Sequence, residues 1–151
     1  MRIFVPIIRF MLLSFAILLI PSACKKDKNV PREDKCYISA NVDGRDYYWV
    51  LSESNCSFNN QKLQVGDIAS DEAELTIDPV DGSGNYFTID PDRDFTIFLT
   101  LGPANQIYIG DVEITISSLS SNETSGTFEG IFTDISGTIY QVANGEFRAE
   151  F

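Results

Sequence analysis

The sequence predicts an all-β domain: an antiparallel β-sandwich, with a small β-barrel as the alternative, of about nine or ten short strands. Three observations predict it. From position 37 onward apolar residues recur at every second place, as in Phe95, Ile97, Leu99 and Leu101. Turn residues punctuate these runs roughly every 8–12 positions. No window sets apolar residues at i, i+3, i+4 and i+7 beside a plausible cap, so no significant helix is expected in the mature domain.

Each strand follows from local signals. Tyr37 to Val42 leads through Asp43-Gly44 into Asp46 to Leu51. Asp-Gly between two alternating runs is a hairpin signal, because both residues tolerate positive φ. Lys62 to Ala69 and Ala73 to Asp78 are the next two strands. Residues 78–85 (DPVDGSGN) read as a loop. Tyr86 to Ile89 is a short strand that Asp90-Pro91-Asp92-Arg93 breaks. Phe95 to Leu101 ends at Gly102-Pro103-Ala104-Asn105, and Gln106 to Ile109 follows. Val112, Ile114 and Ile116 line one face of a separate strand. Thr127 to Asp134 and Thr138 to Ala143 come next, and Asn144-Gly145 is expected to turn the chain into a last strand, Glu146 to Phe151. Phe147, Ala149 and Phe151 alternate to the final residue, so truncation there should damage the fold.

The residues ahead of this domain have a different character. Met1 to Arg9 carries Arg2 and Arg9, Phe10 to Ile20 is an apolar run, and Pro21-Ser22-Ala23 leads to Cys24. That order is the pattern of a secretory signal peptide over residues 1–23. Its apolar stretch is shorter than the roughly 20 residues a membrane span requires. A cysteine at the cleavage point is the acceptor for lipid, so Cys24 is expected to be the first mature residue and a membrane anchor. Residues 24–36 then form a tether. The segment KKDKNVPREDK, residues 25–35, is mostly charged and has no apolar cluster. Eleven flexible residues span roughly 15–20 Å, which holds a domain clear of lipid headgroups. Residues 37–151 are one domain by length.

Charge is segregated along the chain. From 37 to 151 nineteen acidic side chains face four basic ones (Arg45, Lys62, Arg93, Arg148), a net −15, whereas residues 25–35 carry +2. A domain this acidic repels phosphate backbones, which excludes nucleic acid as a partner. The three cysteines divide into the lipid acceptor Cys24 and a pair, Cys36 and Cys56. An even pair in an oxidising compartment is expected to crosslink. The enclosed loop of about 20 residues would contribute roughly 3 kcal/mol on the chain-entropy model.

Two stretches resemble a family of small envelope lipoproteins common in Bacteroidetes, whose function is unknown. One is Cys24-Lys25-Lys26-Asp27-Lys28 followed by the first hairpin, ISANVDGRDYYW, residues 38–49. The other is SGTFEGIF, residues 125–132, with SGTIYQVANGEFRAEF, residues 136–151. The resemblance implies a β-sandwich-like lipoprotein and supplies no catalytic residues. In such bacteria the surface-export signal after the lipidated cysteine is acidic. Lys25, Lys26 and Lys28 around a single Asp27 therefore favour the periplasmic face of the outer membrane.

Three candidate chemistries stand beside plainer readings. Asp90, Asp92 and Asp94 have the spacing that opens a calcium loop, and Asp78 and Asp81 nearby would complete a structural calcium site. However, the positions where an EF-hand loop needs Gly and Glu hold Phe95 and Leu101, and solvated acidic turns are the plainer reading. Tyr47 and Trp49 share one strand face and would stack on a sugar ring if exposed; a sole Trp in a hairpin is more often a core anchor. Catalysis has little support. Without His, the Ser-His and Cys-His nucleophile systems are impossible, and no glycine-rich phosphate motif appears. Apart from calcium no cofactor is expected, and no enzyme activity. The expectation is a membrane-anchored domain that binds or scaffolds an envelope protein or glycan. The alternatives are a carbohydrate-binding accessory lipoprotein, an inhibitor of a cationic hydrolase such as lysozyme, and a small carboxylate hydrolase.

Overall fold

The structure, a computed structural model, describes residues 34–103 and 105–151. Residues 1–33, with the expected signal peptide, Cys24 and most of the tether, lie outside the described residues. Ten strands follow in chain order. They are β1 (Cys36–Val42), β2 (Arg45–Val50), β3 (Cys56–Asn59), β4 (Lys62–Gly66) and β5 (Ala73–Asp78), then β6 (Gly84–Phe87), β7 (Asp94–Gly102), β8 (Asn105–Leu119), β9 (Glu123–Asp134) and β10 (Ile139–Glu150). A three-residue 3₁₀ turn, Glu53–Asn55, is the only helical element among the described residues.

All pairings are antiparallel, and the strands lie in the order β2-β1-β10-β9-β8-β7-β5-β4-β3, with β6 added on β8. The sheet curls into a half-barrel around one core, so the architecture stands between the expected sandwich and the expected barrel. Period-two alternation dictates which side faces in. Cys36, Ile38, Ala40 and Val42 of β1 are buried and the residues between them are not. Ile38, Leu63, Leu75, Ile77, Leu99, Ile114, Phe128, Phe132 and Phe147 are fully buried and belong to a single cluster drawn from seven strands.

Two bonds close the curl. The Cys36–Cys56 disulfide is present, with Cα atoms 6.7 Å apart. In space it does more than secure a hairpin to its neighbour, because it fastens β1, near one end of the sheet, to β3 at the other end. Trp49 Nε1 donates to the carbonyl of Thr100 at 3.0 Å, joining the edge strand β2 to β7.

The structure corrects several strand boundaries. Gln106–Ile109 and Val112–Ile116 are not separate strands but parts of the fifteen-residue β8, which bends at an irregularity between Ile109 and Val112. Its first part pairs with β7 and its later part with β6, so one long strand serves two neighbours. Asn144-Gly145 is not a hairpin turn. Asn144 takes φ 50° inside the continuous β10, where the register against β9 shifts between Val142 and Gly145. Sequence reading also missed β3, because its turn uses Asn60-Gln61, both at positive φ, rather than a glycine pair.

The repeated Gly-x-Phe pattern of the C-terminal motifs has a physical reason. Gly126 pairs with Phe147, and Gly145 pairs with Phe128, across β9 and β10. Each ring covers the opposite strand's glycine; a β-carbon on Gly145 would lie 2.7 Å from the Phe128 ring.

Candidate functional site

The chain enters the domain at a well-tied corner. Tyr48 Oη donates to Asp34 at 2.9 Å, and its ring lies 5.2 Å from that of Tyr37. Burial, with the Asp34 carboxylate second, pushes the Tyr48 phenol well above its ordinary pKa. Glu150 N donates to Lys35 O at 2.8 Å, and Lys35 Nζ lies 3.6 Å from Glu53. A polar groove of about 820 Å³ opens here, lined by Lys35, Glu53, Asn122, Glu123 and Glu150 among others.

Tyr47 and Trp49 do share a face, as their spacing predicts. That face turns inward. The rings stack at 5.6 Å with planes 7° apart, and Trp49 is only 4% exposed. The exposed-platform alternative is corrected: with its face packed in the core and its N–H spent on Thr100, the indole is a core anchor and cannot stack on a sugar.

The acidic loops meet, but around a side chain. Arg93 Nη2 lies 2.5 Å from Asp81, Arg93 Nε lies 3.1 Å from Asp90, and Nη1 donates to Pro79 O. The guanidinium also sits 4.9 Å from the centre of the Tyr86 ring, a cation–π contact. Tyr86 is buried, and its hydroxyl donates to Gly82 O at 2.5 Å. Asp81, first through its hydrogen bond, raises the guanidinium pKa further. Asp78 and Asp94 are opposed at the adjoining ends of β5 and β7, and Asp92 is exposed at the turn. Of the five carboxylates expected to hold calcium, Asp78, Asp81, Asp90, Asp92 and Asp94, two, Asp81 and Asp90, are paired with Arg93. Among the described residues no group of three or more acidic, Cys or His side chains is arranged to hold a metal ion. Arg93 was legible in one way: it is the only basic residue between Lys62 and Arg148.

A second acidic region has no such partner among the described residues. Glu113 of β8 is directly opposed to Glu129 of β9, and Phe87 of β6 is opposed to Glu113 on the other side. These residues lie on the outer face beside a groove of about 570 Å³. Phe87 and Ile89, 46% and 74% exposed, give it an apolar wall, and Asp111, Glu113 and Glu129 give it an acidic rim. Sequence reading passed over these carboxylates, because only the fold sets residues sixteen positions apart side by side.

No family model matches the chain, and no solved structure matches it. Among curated proteins it is similar to nucleolar protein 9 of Schizosaccharomyces japonicus, with 30% identity over 95 residues. The aligned part is 61% of this chain and 14% of that protein, so the match places this chain in no family.

Proposed function

We propose that this chain is a membrane-anchored cell-envelope lipoprotein whose β-domain binds or scaffolds other envelope components without catalysis. The observation that carries the reading is the order of basic residues, apolar run and Ala23-Cys24. The Cys36–Cys56 disulfide supports it, since such bonds persist in oxidising compartments outside the cytoplasm. The weakly basic tether followed by a strongly acidic domain supports a placement in which the domain stands off anionic headgroups. The periplasmic face of the outer membrane is the favoured side. The glycan-platform alternative draws no support from the buried Trp49.

Mass spectrometry of the N-terminal peptide of the processed protein tests this reading. A lipid-modified Cys24 and a Cys24→Ala variant lost from the membrane fraction are the expected results. An unmodified Cys24 in a chain cleaved elsewhere would overturn it.

A further inference from the structure

We infer that the outer-face groove beside Glu113 and Glu129 is a docking site for an extended, basic and apolar segment of a protein partner. The proposal rests on the binding-domain reading above and adds the chemistry of what is bound. Three observations carry it. First, exposed apolar side chains concentrate on this side. Of the eight large exposed apolar residues among those described, Phe87 and Ile89 line the groove, while Ile131, Ile135 and Ile139 lie on the adjoining β9–β10 hairpin. Patches of this kind on a protein surface mark places where another molecule is bound.

Second, two glutamates stand directly opposite one another in the β8–β9 ladder, where like charges destabilise the pair. Among the described residues Asp111, Glu113 and Glu129 make no ion pair and accept no side-chain hydrogen bond. The contrast lies in the same molecule, where Arg93 neutralises the 78–94 loops and Arg148 sits 2.9 Å from Glu150.

Third, charge complementarity selects the occupant. A second copy of this domain would bring the same acidic rim and be repelled, as would nucleic acid or an anionic lipid surface. Lys or Arg side chains set between Glu113 and Glu129 relieve their repulsion, while apolar neighbours cover Phe87 and Ile89. The row Phe87, Glu113, Glu129 runs across the strands, so an extended segment laid along it meets apolar and acidic groups in turn.

The test uses the full chain in nonionic detergent and a fluorescent peptide of alternating Arg and Val, with the signal from empty micelles subtracted. Binding is expected for this peptide and not for one of alternating Glu and Val. Glu113→Gln with Glu129→Gln should weaken it at least tenfold, as should Phe87→Ser with Ile89→Ser. Val50→Thr, at an exposed apolar position of β2 away from the groove, should leave it unchanged. The glutamine pair removes a repulsion, so it stays folded even where the serine pair does not. Equal affinity across all variants, or equal binding of the acidic peptide, would overturn the proposal. So would concentration-dependent self-association abolished by the serine pair, which assigns the face to a second copy. Lipidation of Cys24 is read separately, so a groove that fails and an anchor that fails give different results.

Discussion

The 78–94 loops and the β8–β9 face are both rich in carboxylates, yet the fold treats them in opposite ways. In the loops Arg93 lies between Asp81 and Asp90, reaches the Pro79 carbonyl and covers the buried Tyr86. On the β8–β9 face Glu113 and Glu129 are opposed with no cation among the described residues, next to exposed Phe87 and Ile89. The first is an acidic region neutralised from within, and its charge holds a connection together. The second keeps its charge outward at some cost in stability. Acidic composition is therefore no guide to binding until each carboxylate's partner is known.

The largest expected effect tests whether the two regions share one cooperative unit. Replacing Cys36 and Cys56 by serine removes a crosslink over 20 residues and should cost about 3 kcal/mol in chemical denaturation. Because the bond fastens the ends of the sheet around one core, hydrogen exchange should quicken in both regions together. Faster exchange in β3 alone would separate them.

Next comes the neutralised region. Arg93→Ala strips Asp81 and Asp90 of their cation and Tyr86 of its cover, and should lower Tm by several degrees. Calcium should recover part of that loss in the variant and leave the wild type unmoved. A calcium-dependent Tm in the wild type would mean that Arg93 does not satisfy the loop.

On the open face the sign reverses. Glu113→Gln should stabilise by about 0.5 kcal/mol, the scale of a cross-strand pair, and the gain should shrink at high salt. A loss of stability would show that Glu113 has a partner. The smallest effect lies at the β9–β10 turn, beside exposed Ile135 and Ile139. Asp134 accepts from the Ser136 hydroxyl and from the amides of Ser136 and Thr138, and its pKa is lowered from 3.8 to about 2, chiefly by Ser136. A depressed folded-state value means that the cap's contribution is complete above about pH 4 and is lost as pH falls towards 2. NMR titration should find the carboxyl midpoint near 2, and Asp134→Asn should remove that acid-side dependence of the turn.

Alternation and turn chemistry made most strands legible before any coordinates, including β1, β2, β5 and β7 to within a residue or two. The failures have specific causes. β3 was missed because an Asn-Gln turn carries no glycine signal. β8 was divided in two and β10 was broken at Asn144-Gly145 because glycine bends a strand as readily as it ends one. At the candidate sites the pairing of Cys36 with Cys56 was legible by counting. The inward turn of Trp49 was the plainer reading of a sole Trp in a hairpin, though only packing on one face of the strand decided it.

Local chemistry thus decided the all-β character, the alternation, the turn positions and the acidity of the domain, because these depend on neighbours a few residues apart. Which carboxylates are neutralised and which stand open depends on residues brought together from distant positions: Arg93 with Asp81, and Glu113 with Glu129. Charge acts through space rather than along the chain, so only the curled sheet could distinguish a clasp from a docking face.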